Sequence, residues 1–336
     1  MDSIKIGNKE IGDDKPVYVV AEAGLNHNGD INLAKQLIEK AVECGADAIK
    51  FQTFKTEEFL TTNSPYFDNF KNVELSYEEF GELNDYSKNM EISFFSAPFD
   101  LESAIYLNTL DVPCFKIASS DLTNFPLIKN IANFGKPMII STGLANMKEI
   151  EDVVKLCQSQ NNEQLILLHS VSNYPTLPNE TNLKVIDSLK QKFDYPIGYS
   201  DNGDSVLVDI ASVCMGANML ERHFTLDRKL DGPDHFFSIS PKEFKELIQQ
   251  IRIIEEIKGD GEKKPQDSEL QLLKEIRKSL TARQDIQKGQ IFTPENIAIK
   301  RPEDGIEPKY YDDIIGKKAT VNIKKDTSLK TEFISK

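Results

Sequence analysis

VYVVAEAGLNHNGDINLAKQLIEKAVECGADAIKFQTFK, residues 17–55, sets the architecture of this chain. It opens at 17–20 on β-branched and aromatic residues, the mark of a fully buried strand. That strand stops at Glu22, and a polar turn, AGLNHNGD, follows. Asp30 is placed to N-cap a helix whose apolar face is Leu33, Leu37, Ile38, Ala41 and Val42. Gly45 ends that helix, and a second buried strand, 48–51, begins at once. Strand, helix and strand within about 35 residues make a βαβ unit, which implies a parallel sheet with a right-handed crossover. Glu22, Lys50 and Gln52 fall at the strand C-termini, where such groups are costly unless they bind something polar.

Outward from this unit the same alternation continues. Strands are predicted at ISFFSA (92–97), CFKIAS (114–119), PMIISTG (137–143), QLILLHS (164–170), PIGYS (196–200) and NMLERHF (218–224). Helices are predicted at 78–88, 101–110, 126–134, 147–158, 183–192, 205–215 and 242–257. With the opening unit this gives eight strands, each followed by a helix, the pattern of a (β/α)8 TIM barrel. A doubly wound open sheet would show a glycine-rich phosphate loop after its first strand, and AGLNHNG is not GxGxxG. The stretch 56–76, rich in Asn, Phe and Tyr, reads as a loop over the site.

Barrels of this kind place chemistry at strand C-termini. Those positions hold Glu22, Lys50, Gln52, Ser96, Lys116, Ser119, Ser141, His169, Ser172, Ser200, Asp201 and His223. Any one of them reads equally as a turn residue or helix cap, whereas the set on one rim reads as a site. The barrel is assigned residues 1–258. Beyond it, 259–278 reads as a charged linker (KGDGEKKPQDSE) running into a helix at 269–278. Residues 279–336 alternate short strands with turns, a small mostly-β domain that is marginal alone at roughly 60 residues.

The net charge of −14 argues against nucleic acid, which needs a basic footprint, but a few lysines in a cleft can still hold a small anion. No apolar run nears the roughly 18 residues that span a bilayer, and MDSIKIGNKE lacks a signal-peptide core, so no membrane partner and a cytoplasmic location are expected. Cys44, Cys114, Cys157 and Cys214 show no metal-type spacing and read as reduced core thiols.

Several segments carry a resemblance: VAEAGLNHNGD (20–30), GADAIKFQTF (45–54), FKIASSDLTNFPLIK (115–129), KPMIISTGLANMKEI (136–150), HSVSNYPT (169–176), IGYSD (197–201) and LERHFTLDRKLDGPDHFFS (220–238). They resemble the sialic acid (nonulosonic acid) synthase family of the N-acetylneuraminate and legionaminate type. The tail, SLTARQDIQKGQIFTPENIAIKRP, resembles that family's C-terminal antifreeze-like (SAF) domain. The resemblance implies condensation of phosphoenolpyruvate with an N-acylated hexose, giving a nine-carbon acid and phosphate.

It also implies roles. Glu22, Lys50, Lys116 and His223 match catalytic positions. Ser119, Ser141, Ser172 and Ser200 match the phosphoenolpyruvate cradle, and Gln52, Asp121, Tyr174 and Asp234 match the acceptor site. A divalent metal, Mn2+ or Mg2+, is implied at His223 and at Asn202. Arg301, in KRPEDG, matches an arginine delivered into the other subunit of a domain-swapped homodimer. Three positions depart from the family pattern: SDN with Asn202 in place of SDH, Ala97 in place of a hydroxyl residue, and Asp121 in place of glutamate.

His27 reads as ordering its loop or, as an alternative to Asp201, as a metal donor in place of Asn202, His169 as hydrogen-bonding within the barrel, and His235 stays open. A weakened, merely binding paralogue and another phosphoenolpyruvate-using barrel for keto-sugar acids are the competing readings.

Overall fold

A computed structural model describes residues 3–336, which divide into one unit through Gly259 and a second from Asp260. In the first unit a hairpin, β1 (Ile4–Ile6) and β2 (Lys9–Ile11), precedes the main sheet. Eight parallel strands follow: β3 (Tyr18–Gly24), β4 (Ala48–Thr53), β5 (Ser93–Pro98), β6 (Phe115–Ile117), β7 (Met138–Ser141), β8 (Leu165–Ser170), β9 (Ile197–Asp201) and β10 (Met219–His223). Their order, β5-β4-β3-β10-β9-β8-β7-β6, brings β5 and β6 side by side, a nearly closed barrel of the expected class.

The strands read as continuous apolar runs because both faces are buried. One face packs on helices α1 (Ile31–Cys44), α4 (Tyr77–Asn89), α5 (Leu101–Thr109), α6 (Phe125–Asn133), α7 (Met147–Ser159), α8 (Lys184–Lys192), α9 (Val206–Cys214) and α10 (Pro241–Lys258). The other fills the barrel: Tyr18, Val20, Ala48, Phe95, Cys114, Ile139, Ile166, Leu168 and Met219 form one cluster, joined by Ile4, Ile6 and Ile11 of the hairpin. Successive strand residues alternate between the two faces. The interior series therefore ends, toward the strand C-termini, in Glu22, Lys50, Gln52, Lys116, Ser141, Ser200, Glu221 and His223.

Asp30 caps α1 by accepting from the Asn32 amide at 2.8 Å, and Gly45 closes it with φ 89°. The buried face is Ala34, Leu37, Ile38, Ala41 and Cys44; Leu33 and Val42 lie at its margins, half-buried, so Ala34 and Cys44 replace them at the edges of the predicted stripe. Residues 56–76 are not a plain loop. They form α2 (Thr56–Phe59) and α3 (Phe67–Val73), gathered by Phe54, Phe59, Phe70 and Phe99, whose rings lie 5.1–5.9 Å apart. Glu74 fastens this segment by accepting from the Thr56 amide (2.9 Å) and hydroxyl (2.8 Å). Cys44, Cys114 and Cys157 are buried, but Cys214 is exposed at the end of α9, contrary to the core expectation.

The second unit begins with α11 (Asp267–Ile276) and has a two-stranded antiparallel sheet, β11 (Ser279–Ala282) with β12 (Ile297–Lys300). Isolated bridges and one short helix, α12 (Tyr311–Ile314), complete it around Leu280, Ile286, Phe292, Ile297 and Ile323. Among the described residues no helix is long and apolar enough to cross a membrane.

Candidate active site

The polar end of the barrel interior is knitted around four buried charges. Lys50 Nζ lies 3.1 Å from Glu22 Oε2 and 3.0 Å from Glu221 Oε1. The same Glu221 oxygen accepts from Lys116 Nζ at 3.2 Å and from Ser200 Oγ at 3.0 Å. Gln52 donates to Glu22 Oε1 at 3.1 Å. Strand register accounts for the meeting: His223 pairs with Glu22, Glu22 with Lys50, and Glu221 with Ser200.

Two acids and two bases so close, and all nearly water-free, displace each other's titration. Burial pushes Glu22 up to about 7, with Glu221 adding to the rise and Lys50 opposing it. Burial lowers Lys116 to about 8, aided by the neighbouring Lys50 charge and opposed by Glu221. Burial also disfavours the Lys50 charge, yet Glu22 and Glu221 outweigh it and hold Lys50 above its ordinary value. The two lysines likewise overcome burial at Glu221 and bring it down to about 2.

A second cluster lies over the backbone of Gly143. The Gly143 amide donates to Ser119 Oγ at 3.1 Å. A Cβ at Gly143 would stand 2.4 Å from Ser172 Oγ and 2.7 Å from Ser119 Oγ, so only glycine lets the two hydroxyls converge. Ser141 Oγ and Ser172 Oγ are buried without a partner, and so are His223 Nδ1 and Glu221 Oε2. Leaving each such atom unmet costs roughly 1–3 kcal/mol, and together they mark a surface made for a polar ligand.

The third group surrounds His223. Asp234 Oδ2 is 3.9 Å from His223 Nδ1 and accepts from the Leu25 amide at 3.3 Å. Burial pushes Asp234 up to about 6 and holds the His223 ring neutral, down to about 3. Tyr174 and Phe237 stand against that ring, at 5.9 and 4.8 Å. The Tyr174 ring is half exposed, while burial and the Asp234 charge raise its hydroxyl to about 12.

A cation would find few donors here. Among the described residues no group of three or more His, Cys, Asp or Glu side chains could hold a metal ion. The unpartnered His223 Nδ1 beside carboxylate oxygens does suit a hard divalent ion that completes its shell from substrate and water. A Cβ at Gly24 would meet Asp234 Oδ2 at 2.8 Å, His223 Nδ1 at 3.4 Å and Glu22 Oε1 at 3.5 Å, so only glycine leaves these three side chains their room. Asn202 donates its amide to the Val171 carbonyl at 2.9 Å, which leaves only its Oδ1 to offer.

Other sequence-derived candidates fall elsewhere. Asp201 is bound outside the barrel wall by Arg222, by Tyr199 Oη (3.1 Å) and by the Gly203 amide (2.9 Å). His27 Nδ1 accepts from the Gly29 amide at 3.1 Å, and its ring packs on Phe51. His169 Nε2 reaches the Thr181 carbonyl at 2.7 Å, within the barrel unit as expected. Asp121 turns back on its own loop, accepting from Ser120 and Asn124. Ala97 is buried beside Gln52 in the β4–β5 ladder, so a methyl faces the interior there. Arg301 is exposed in the second unit. Glu221, the hub of the charge cluster, was missed by the sequence reading. Two-residue alternation from His223 pointed to it.

The NeuB family model matches residues 37–263, and the SAF domain model matches 277–335. The chain is 46% identical over 318 residues to the uncharacterized protein MJ1065 of Methanocaldococcus jannaschii, covering 95% of this chain and 94% of that one. It is 44% identical over 328 residues to the N,N'-diacetyllegionaminic acid synthase of Campylobacter jejuni, covering 93% of this chain and 98% of that one. The solved N-acetylneuraminic acid synthetase of Leptospira borgpetersenii superposes with a TM-score of 0.77 at 39% identity, over 80% of this chain and 94% of that one. The residues that gather in the barrel mouth thus lie on a chain that belongs to the NeuB family and carries a SAF domain.

Proposed function

We propose that the protein condenses phosphoenolpyruvate with an N-acylated hexose, an N-acetylmannosamine-like or 2,4-diacetamido sugar, to give a nonulosonic acid and phosphate. The observation that carries this reading is the Glu22–Lys50–Glu221–Lys116 array beside the hydroxyls over Gly143. Phosphoenolpyruvate brings a carboxylate and a phosphate, and two buried lysines with Ser119, Ser141, Ser172 and Ser200 are donors of the type both need. The legionaminate synthases among the relatives favour an acceptor with two acetamido groups.

In the reaction, C3 of the enol attacks the open-chain aldehyde carbon and a C–C bond forms. The aldehyde oxygen takes up a proton and becomes a hydroxyl. Water adds at C2, one of its protons balancing the proton taken up by the aldehyde oxygen; the C2–O bond to phosphate then breaks, the second proton leaves with the phosphate, and a keto acid results. Glu22, titrating near neutrality, can accept and return a proton at the C2 water. Asp234, Gln52 and Tyr174 are assigned to the acceptor's hydroxyl and amide groups. His223 would hold a manganese or magnesium ion, with Asn202 as its second protein ligand, and that ion supplies Lewis acidity to the aldehyde oxygen. Arg301 would serve the site of the partner in a homodimer.

The retained Glu22, Lys50 and Lys116 weigh against a merely binding paralogue. The test is phosphate release from phosphoenolpyruvate with a panel of N-acylated hexoses, with and without manganese. Release that depends on the acceptor supports the reading, and no release with any acceptor sinks it.

A further inference from the structure

Two loops flank the Asp234 carboxylate, and the reaction above leaves their own polar residues without a task. One, residues 25–30, follows β3; the other, 224–240, follows β10. Asn26 donates its amide to the Phe224 carbonyl (2.9 Å) and to Ser238 Oγ (2.9 Å), and Ser238 donates to the Asp234 carbonyl (2.5 Å). Asn28 donates to the Asp231 carbonyl at 2.7 Å, and its Oδ1 lies 3.3 Å from His235 Nε2. The other ring nitrogen, Nδ1, lies 2.7 Å from Thr225 Oγ1. An amide oxygen can only accept, so Nε2 carries the proton toward Asn28, while the Thr225 hydroxyl, which also reaches the Asp227 carbonyl at 3.2 Å, faces the other ring nitrogen.

Asn26, Thr225, His235 and Ser238 are all at most 1% exposed, so the bonds among them are shielded from water, whereas the Asn28–Asp231 bond lies at the surface. Pro233 and Phe236, on either side of the Asp234–His235 pair, are exposed. Asp234 therefore sits on a long loop, between a fastened side and an exposed one.

We propose that Asn26, Asn28 and His235 form a clasp between the two loops that positions the Asp234 carboxylate for the acceptor. This rests on the assignment of Asp234 to the acceptor made above. The NHN of 26–28 and the DH of 234–235, some two hundred residues apart in sequence, are the two halves of one device. None of the three clasp residues touches the acceptor in this account; they act through Asp234, as positioning residues. Misplacing a reactive or binding group by about 1 Å can cost about a hundredfold in rate, which is why a long loop needs such fastening.

The test compares His235→Ala, His235→Gln and Asn28→Ala, alone and in an Asp234→Asn background. It reads KM for acceptor and for phosphoenolpyruvate separately, and hydrogen exchange at the Leu25 amide. His235→Ala and Asn28→Ala should each raise the acceptor KM about tenfold, leave that for phosphoenolpyruvate within about twofold, and add little to Asp234→Asn. His235→Gln, which can still donate to Asn28, should recover part of the loss. The Leu25 amide, bonded to Asp234, should exchange faster in both alanine variants.

Equal rises in both KM values, full additivity with Asp234→Asn, or no change in either would overturn the clasp and leave a plain structural staple. If the wild type turns over no acceptor at all, the assignment of Asp234 falls with the proposed function. Leu25 exchange then decides the clasp alone, and unchanged protection in His235→Ala rejects it.

Discussion

At the residue scale, the two lysines and two glutamates share so little water that their titration brackets neutral pH. If Glu22 works as a base and Lys116 as an anion-binding cation, kcat/KM for phosphoenolpyruvate should rise as pH passes about 7, where Glu22 loses its proton. It should fall as pH passes about 8, where Lys116 loses its own. A pH–rate profile checks this, and Glu22→Gln should flatten the acid limb while leaving the alkaline one; an unshifted acid limb removes Glu22 from that role. At the proposed metal site, imidazole would bind manganese better than an amide oxygen does. Changes even outside the first ligand shell alter metal affinity about 10- to 100-fold. Asn202→His should accordingly tighten manganese binding at least tenfold in a calorimetric titration. No tightening would leave Asn202 as the brace of the Val171 loop.

At the scale of elements, the turn after β7 decides where the hydroxyls go. Gly143→Ala would push a methyl to within 2.4 Å of Ser172 Oγ and 2.7 Å of Ser119 Oγ, closer than real contacts allow. The serines would have to part. The KM for phosphoenolpyruvate should rise at least tenfold, with a much smaller relative effect on the acceptor KM. The melting temperature should move little, because the neighbouring Leu144 is 79% exposed and the turn has room to shift. Full activity in Gly143→Ala would take this turn out of the phosphate site. The segment 56–76 teaches a different lesson. Its composition is polar enough to read as a loop, and its order comes from four phenylalanines, two of which, Phe54 and Phe99, lie outside it. Local pattern cannot show such a cluster.

At the scale of the whole molecule, the proposed exchange of second units between subunits makes a direct prediction. Lys116→Met removes a charged hydrogen bond from the array, worth about 1.5–3 kcal/mol, so activity should fall roughly ten- to a hundredfold. Arg301→Ala should be similarly impaired if the second unit serves a neighbouring copy. Mixing the two variants and letting subunits exchange should then recover part of the activity, since an isologous dimer would pair an intact tail with an intact barrel. Exchange proven by labelled subunits without recovery would place Arg301 in its own chain's site or in none.

The alternation of buried strands and amphipathic helices was legible from end to end of the barrel, because each element records its own environment in its periodicity. The strand C-termini were legible too, since a charge closing an apolar run stands out locally. Convergence was not. That Glu221 rather than any rim residue joins both lysines, that Asp201 is captured by Arg222 outside the wall, and that Asn28 meets His235 are facts of register and barrel closure. By itself the sequence determined the order of the elements and which kinds of groups stood at their ends. Only the tertiary structure decided which of them share one water-poor space, because that depends on contacts between residues far apart in the chain.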